Sequence, residues 1–531
     1  MGVDTPVQAK SLDISELPDA PRTRDISFYF VAFVLVAPLR AVAPLSWAFV
    51  LYSLHTGSIW SFAWKGRLAF ALAICEVFFS VYHRYLVALV SVPWKHGTGD
   101  IIQLQVAFTR VLKAGLANLP EYGYDEESLD VDRPGSPSES ITQLEANDHR
   151  AMDFRNVIRT WFGRVPWSSI RRVEIQKWIY WSIFNKDLPE PHLITPTHQA
   201  VLDDTLQLLE MRLGTRVAPG SNPDISPMRM TIDPVIVTAR PLIYYAFVSG
   251  INRYLRGWYR TNWNLRHGNF NDLEYLVYTP ETWDPIAGPS PIVFLHGLGL
   301  GLFQYSPIIR DLHHQFPDRP LLIPLQPHIS QDIFHPKFLD PLFRQDLADR
   351  LAGLLRQLGW VSQDGDDLRG SRGVTMLSHS NGSYLHAWCL KRSPELVSRS
   401  CFVDPVTFCS WEGDSCYNFL YRRPSSGMDL LIRYFVGTEL GVANMMRRNF
   451  DWSSNSLWYE EIPNARNPSK TLFLFGGSDD IIDGERVKKY LTSHGVKQGL
   501  VYNPSGRHGE ALISGGPQHA EVMRWLKASD K

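Results

Sequence analysis

The residues best suited to chemistry cluster in a short run, Ser378-His379-Ser380-Asn381-Gly382, directly after the apolar stretch 374–377. A strand that runs into small-x-Ser-x-Gly must turn sharply before the helix that follows. Ser378 and Gly382 flank Ser380 because larger side chains would clash where the turn doubles back. Such a turn lifts the Ser380 Oγ above the sheet. It also puts the Asn381 N–H at a helix N-terminus, where it can stabilise an oxyanion. The first small position is usually glycine, and Ser378 departs from that pattern.

Two further segments supply what a nucleophilic serine needs. In FLHGLGLG (294–301), His296-Gly297 ends an apolar run about eighty residues before Ser380, and the glycine lets the Leu298 N–H turn toward a reacting carbonyl. A plain Gly-rich turn is the structural alternative. A phosphate loop fits poorly because no lysine follows at the required spacing. Candidate acids stand in TLFLFGGSDDIID, as Asp479 and Asp480, and in CFVDPV, as Asp404. The candidate base is His508, one of 17 histidines, distinguished by its glycine-flanked loop after the last apolar run. The order Ser, Asp, His suits acyl transfer with a nucleophile, a general base and an orienting carboxylate.

Those residues need a sheet to hold them. From about Asn271 short apolar runs alternate with helical stretches, the pattern of a mostly parallel sheet with crossover helices. LEYLVY, PIVFLHG, PLLIPLQ, GVTMLSHS, SCFVDPV, TLFLFGG and GLVYNP each read as a strand. Functional residues in such sheets gather at the carboxyl ends of the strands, where these candidates stand.

Taken together, HGLG (296–299), SHSNG (378–382), GGSDD (476–480) and GRHG (506–509) resemble the α/β-hydrolase superfamily over residues 271–531. The resemblance implies that Ser380 attacks an acyl carbonyl while His508 removes its proton. It also implies that the Leu298 and Asn381 N–H groups hold the oxyanion. The family pattern Gly-x-x-Asp-x-aliphatic favours Asp479 as the acid through Gly476 and Ile481, with Asp404 and Asp480 as alternatives. It places a cap at about 405–469, rich in aromatic residues such as Trp411, Trp452 and Trp458. Epoxide hydrolysis and dehalogenation would need Asp where Ser380 stands.

The N-terminal half has a different character. Residues 1–27 form a polar tail, and two apolar runs follow, Phe28 to Leu54 and Leu68 to Val92. Each exceeds the ~20 residues of a membrane-spanning helix. Arg40 interrupts the first; Glu76, His83 and Arg84 interrupt the second, and Arg40 is expected to lie near Glu76. Lysines and arginines before, between and after the runs favour a hairpin with both ends, and the catalytic domain, in the cytosol. The alternative for the second run is an interfacial or buried helix. Together they define an anchor at 28–95. An amphipathic helix at 96–119 and an acidic, Ser/Pro-rich disordered linker at 120–150 follow, with Ser136 and Ser138 as possible phosphorylation points. A helical, aromatic-rich region at 151–265 comes next, in which Ser168 could cap the helix through IRRVEIQKWIYWSIF. This N-terminal organisation resembles membrane-anchored hydrolases of fungi.

The formal net charge of −1 argues against nucleic acid as a partner. Five cysteines without a CxxC pair read as reduced thiols and exclude a zinc ribbon. No residue pattern calls for a metal or organic cofactor. The expected protein is an α/β fold, a mostly parallel α/β-hydrolase sheet with helical cap behind an N-terminal membrane region. It is expected to cleave an apolar or lipid ester at the bilayer. Thioester, amide or C–C bond hydrolysis would use the same residues, and a tethered, non-catalytic binding protein is the competing class.

Overall fold

The computed structural model describes residues 13–93, 101–116, 141–342, 344–362 and 373–528. Most of the acidic linker, with Ser136 and Ser138, lies outside the described residues. The chain forms two compact units. The smaller draws on residues 13–21, 101–116 and 141–229, and the larger on 22–93 and 230–528.

The smaller unit is helical, built from Ile101–Lys113, His149–Ile158, Arg172–Phe184 and Pro196–Leu213. Its core is aromatic: Trp161 packs against Trp178 and Trp181 at 6.2 and 5.7 Å. Arg212 is buried at its centre, donating to the carbonyls of Leu112, Ala114 and Arg150, two of which end the helix Ile101–Lys113. Ser168 does not cap Arg172–Phe184; it lies in the short 3-10 turn Trp167–Ser169, and the helix begins after Arg171 without a side-chain cap. The IRR sequence forces that delay, because the extended Arg171 hands its neighbour's N–H to the Ala218 carbonyl.

The larger unit carries an eight-stranded sheet in the order β1-β2-β4-β3-β5-β6-β7-β8. The strands are β1 (Arg266–Phe270), β2 (Leu273–Tyr278), β3 (Ile292–Leu295), β4 (Leu321–Leu325), β5 (Val374–His379), β6 (Val397–Val403), β7 (Thr471–Gly476) and β8 (Leu500–Asn503). Only β2 runs against its neighbours; from β4 to β8 every pair is parallel, the arrangement of an α/β-hydrolase. The central strands β3, β4, β5 and β7 are buried along their whole length, as strands covered on both faces must be. β1 was not anticipated: RHGNF has no apolar alternation and exists as an exposed edge paired in register with β2. The helix Leu242–Trp263 belongs with this sheet, stacking Tyr259 and Trp263 into its core.

The two apolar runs form long helices, Ile26–Thr56 and Trp64–Ser91, packed as a hairpin on a Trp47 Nε1 to Ser80 Oγ hydrogen bond of 2.9 Å. A wider π turn at Ala32–Val36 precedes Pro38, which has no N–H to continue the regular ladder. Large apolar side chains on this hairpin point outward; Phe33 is 72% and Phe78 is 71% exposed. Arg40 and Glu76 line one cavity, with no ion pair between them among the described residues. Glu76 instead accepts the Leu242 N–H at 2.7 Å, because that first-turn amide has no helical partner of its own.

The insertion between β6 and β7 grips the hairpin at both ends. Near its start, the Gly427 N–H donates to Ser27 Oγ at 2.8 Å, and Val31 and Val36 pack on Tyr434. At its end, buried Arg448 donates to the carbonyls of Val90 and Ser91 at 2.9 and 3.3 Å.

Candidate active site

Ser380 stands in the turn between β5 and the helix Gly382–Arg392 with φ of +51°, a left-handed conformation rare for a residue with a side chain. Its surroundings enforce it. The Ser380 N–H donates to the Val403 carbonyl at the end of β6 (3.0 Å), and its own carbonyl accepts the Ser383 hydroxyl (2.7 Å). Gly382 is obligatory, since a Cβ there would lie 2.1 Å from the Leu295 carbonyl oxygen. Ser378 fits where glycine is common because its hydroxyl meets His386 Nδ1 at 2.9 Å, whose Nε2 meets Ser400 Oγ at 3.0 Å. Burial pushes His386 down to about 3, so one ring nitrogen donates and the other accepts.

His508, in the loop after β8, brings Nε2 to 2.8 Å from Ser380 Oγ and Nδ1 to 2.6 Å from Asp479 Oδ2. Asp479 follows β7 and is itself fixed, its Oδ1 accepting the Ile481 and Ile482 N–H groups at 2.7 and 3.1 Å. The chain packs tightly behind it; a Cβ on Gly476 would lie 2.0 Å from the Gly506 carbonyl oxygen. Asp480 faces elsewhere, with Oδ1 3.8 Å from Arg422. Asp404 adjoins the set without joining the relay: its Oδ2 accepts the Gly509 N–H at 2.7 Å and so braces the His508 loop.

Burial alone would depress the His508 imidazole. The charge and hydrogen bond of Asp479, aided by Asp404, overcome that and hold it up to about 9. Asp404 is pushed upward by burial, against the pull of the His508 cation. Ligand atoms of Asp404, Asp479 and His508 lie within 4.8 Å of one another, spacing a metal could use. Their hydrogen bonds already occupy both ring nitrogens of His508, which fits an acid–base set better than a ligand set.

A second chain of contacts escaped the sequence reading. The Gly297 N–H donates to the Tyr305 hydroxyl (3.0 Å), which therefore donates its proton to His379 Nδ1 at 2.9 Å. Burial drives His379 far below its ordinary value, so it is neutral with its proton on Nε2. That Nε2–H has no hydrogen-bond partner among the described residues and faces Asp404 Oδ2 at 3.8 Å. The signal was present, because His379 sits inside the turn motif beside Ser380. Gly297 presses directly on the serine, as a Cβ there would fall 2.9 Å from Ser380 Cβ. The Leu298 and Asn381 N–H groups donate to no protein acceptor among the described residues. On the insertion side, Asn381 Nδ2 touches Met446 Sδ at 4.0 Å, on the helix Leu440–Arg448.

Three solved structures illustrate how the chain compares with known proteins. A bacterial membrane phospholipase A is 14% identical, with 54% of this chain and 93% of that one covered at a TM-score of 0.33. Naproxen esterase from Bacillus subtilis is 16% identical, with 54% and 97% covered at 0.35. The carboxylesterase CesB from the same organism is 14% identical, with 52% and 98% covered at 0.31. No family model and no curated protein matches the chain.

Proposed function

We propose that this protein is a membrane-bound serine hydrolase that cleaves a carboxylic ester, of a lipid or another apolar acyl compound, through an acyl-enzyme. The observation that carries the reading is the unbroken contact from Ser380 Oγ to His508 to Asp479, 2.8 and 2.6 Å long. Ser380 Oγ attacks the carbonyl carbon as its proton passes to His508 Nε2. Asp479 keeps the Nδ1–H in place and balances the imidazolium. The Leu298 and Asn381 N–H groups, unengaged by protein, receive the oxyanion, a contribution worth ~3–4 kcal/mol per donor in comparable sites. His508 then returns the proton to the departing alcohol, and water repeats the sequence to free the acid.

The apolar substrate follows from how the sheet is held. Helices Ile26–Thr56 and Trp64–Ser91 suit a bilayer by length and hydropathy, and only 17% and 33% of their apolar windows are buried. The insertion that meets Asn381 through Met446 also grips both ends of that hairpin. An ester entering from the lipid phase would pass the insertion whose Met446 lies against Asn381. Cytosolic placement of the catalytic unit accords with the five free cysteines.

The test is hydrolysis of p-nitrophenyl esters from C2 to C16 by the protein in detergent micelles or vesicles. The reading expects kcat/KM to rise with chain length to at least C8. Cleavage confined to C2 and C4 esters would overturn the lipid substrate, while no cleavage at all would overturn the esterase reading.

A further inference from the structure

We propose that the cavity between the apolar helices and residues 237–241 binds the phosphate headgroup of an anionic membrane lipid. The cavity measures about 400 Å³ and is lined by Arg40, Glu76, His83, Arg84 and Arg240, with Trp47 at its wall. Clefts for small ligands run roughly 300–1,000 Å³.

Three observations point to the ligand. The first is unused polar capacity. His83 and Glu76 are only 3% and 5% exposed, yet His83 Nε2 and Glu76 Oε1 have no hydrogen-bond partner among the described residues. Arg40 and Arg84 line the cavity, with no hydrogen bond or ion pair among the described residues. Arg240 is fixed for the purpose, donating to the Thr238 and Thr438 carbonyls at 2.6 and 3.0 Å with its guanidinium 4.8 Å from the Tyr434 ring. Buried polar groups left unsatisfied are costly, so a cavity lined by several of them is built for an occupant.

The second is charge. Three guanidiniums face one carboxylate, and that carboxylate is already tied to the Leu242 N–H. The excess favours a headgroup of net negative charge over a zwitterionic one. The open Glu76 oxygen can accept a lipid hydroxyl.

The third is depth. Arg40 lies 17 residues before Gly57 and Arg84 lies 20 after Trp64, so along the helix axes both stand ~25–30 Å from the hairpin turn. A bilayer's hydrocarbon core is ~30 Å thick. With the turn at one boundary, the arginines reach the phosphate level of the opposite one. Leu45, Leu72 and Phe78, exposed on the turn side of that level, line the path of the acyl chains. The inference rests on the hairpin lying in a bilayer, and it is independent of the chemistry at Ser380.

The full chain carrying Ser380→Ala, which cannot consume lipid, would be placed in phosphatidylcholine nanodiscs containing a minor fraction of phosphatidylglycerol. Native mass spectrometry would then count the lipids retained. Phosphatidylglycerol should be kept at least tenfold over its share, and R40Q/R84Q should erase that preference while R40K/R84K keeps part of it. Millimolar inorganic phosphate should not compete, since the chains hold the lipid in place. Equal retention of both lipids by the S380A chain, or no effect of R40Q/R84Q, would overturn the site. Displacement by oleate as effective as by phosphatidylglycerol would overturn the phosphate assignment. A chain that stays outside the nanodisc would overturn the hairpin reading and the site with it. R40Q/R84Q in the Ser380 background should react with a fluorophosphonate at the wild-type rate, which separates a lost lipid site from a lost fold or a failed esterase reading.

Discussion

The sheet end and the apolar hairpin differ in how far their buried polar groups are partnered. At the sheet end Ser380, His508, Asp479, Tyr305 and His386 are each met by a partner, and His379 Nε2 is left without one among the described residues. Along the hairpin Glu76 Oε1 and His83 Nε2 are buried without one. A satisfied network is preorganised for a reaction that begins and ends with the same protein contacts. An unsatisfied cluster beside exposed apolar surface is arranged for something that comes and goes. On the proposed reading, chemistry and membrane contact are kept in separate places, joined by the insertion between β6 and β7.

Breaking the satisfied network should give the largest effects. Asp479→Asn leaves the geometry but removes the charge that supports the imidazolium, so kcat should fall about 10⁴-fold. Asp480→Asn, at a residue turned to Arg422, should stay within about threefold. Steady-state kinetics on one ester distinguish the two acids.

The hairpin side of the comparison is tested by charge. Leu45→Asp together with Phe78→Asp would put two carboxylates where outward apolar side chains stand between the turn and Arg40, at ~2.5–3.5 kcal/mol each. Membrane flotation should show a loss of at least 100-fold in partitioning, with hydrolysis of short soluble esters retained. Continued flotation of the double variant would contradict the hairpin's lipid exposure.

The join between the regions is sharpened by Arg448→Gln. This change strands the carbonyls of Val90 and Ser91 and should lower stability by about 1–3 kcal/mol. Long-chain ester hydrolysis should fall more than short-chain. Tyr305→Phe removes the hydroxyl shared by Gly297 and His379, at a similar cost in stability and about tenfold in kcat. Melting curves and kinetics on the same preparations check both.

The smallest expected effect is a shift in pH profile. A general base must be neutral to accept the serine proton, and His508 is held protonated up to about 9. So kcat/KM should climb with pH until about 9. Burial raises Asp404, but its ionised fraction still supports the His508 cation, so Asp404→Asn should move the acid limb to lower pH. A limb that stays fixed or moves upward would remove Asp404 from the electrostatics of the site.

What could be read in advance follows from how local the signal was. Seven strands carry apolar runs bounded by turns, whereas β1 is polar and exists only through pairing with β2. The turn at Ser380 was legible because its residues are contiguous, although the backbone that demands its glycine, at Leu295, is far along the chain. The Tyr305 to His379 contact joins positions 74 residues apart, and spacing alone cannot pick one tyrosine among 21. The choice among Asp404, Asp479 and Asp480 depended on which carboxylate reaches His508, a distance set by how β6, β7 and β8 align. The footing of the hairpin on Leu242 was equally hidden, because its partner is a backbone amide.

The central claim, an activated serine at position 380, is tested most directly by treating membranes bearing the protein with a fluorophosphonate and mapping the labelled peptide. The expected result is a single adduct on Ser380, abolished by Ser380→Ala and slowed at least 100-fold by His508→Ala. Folded protein that takes up no label, or labels on a different serine, would contradict it.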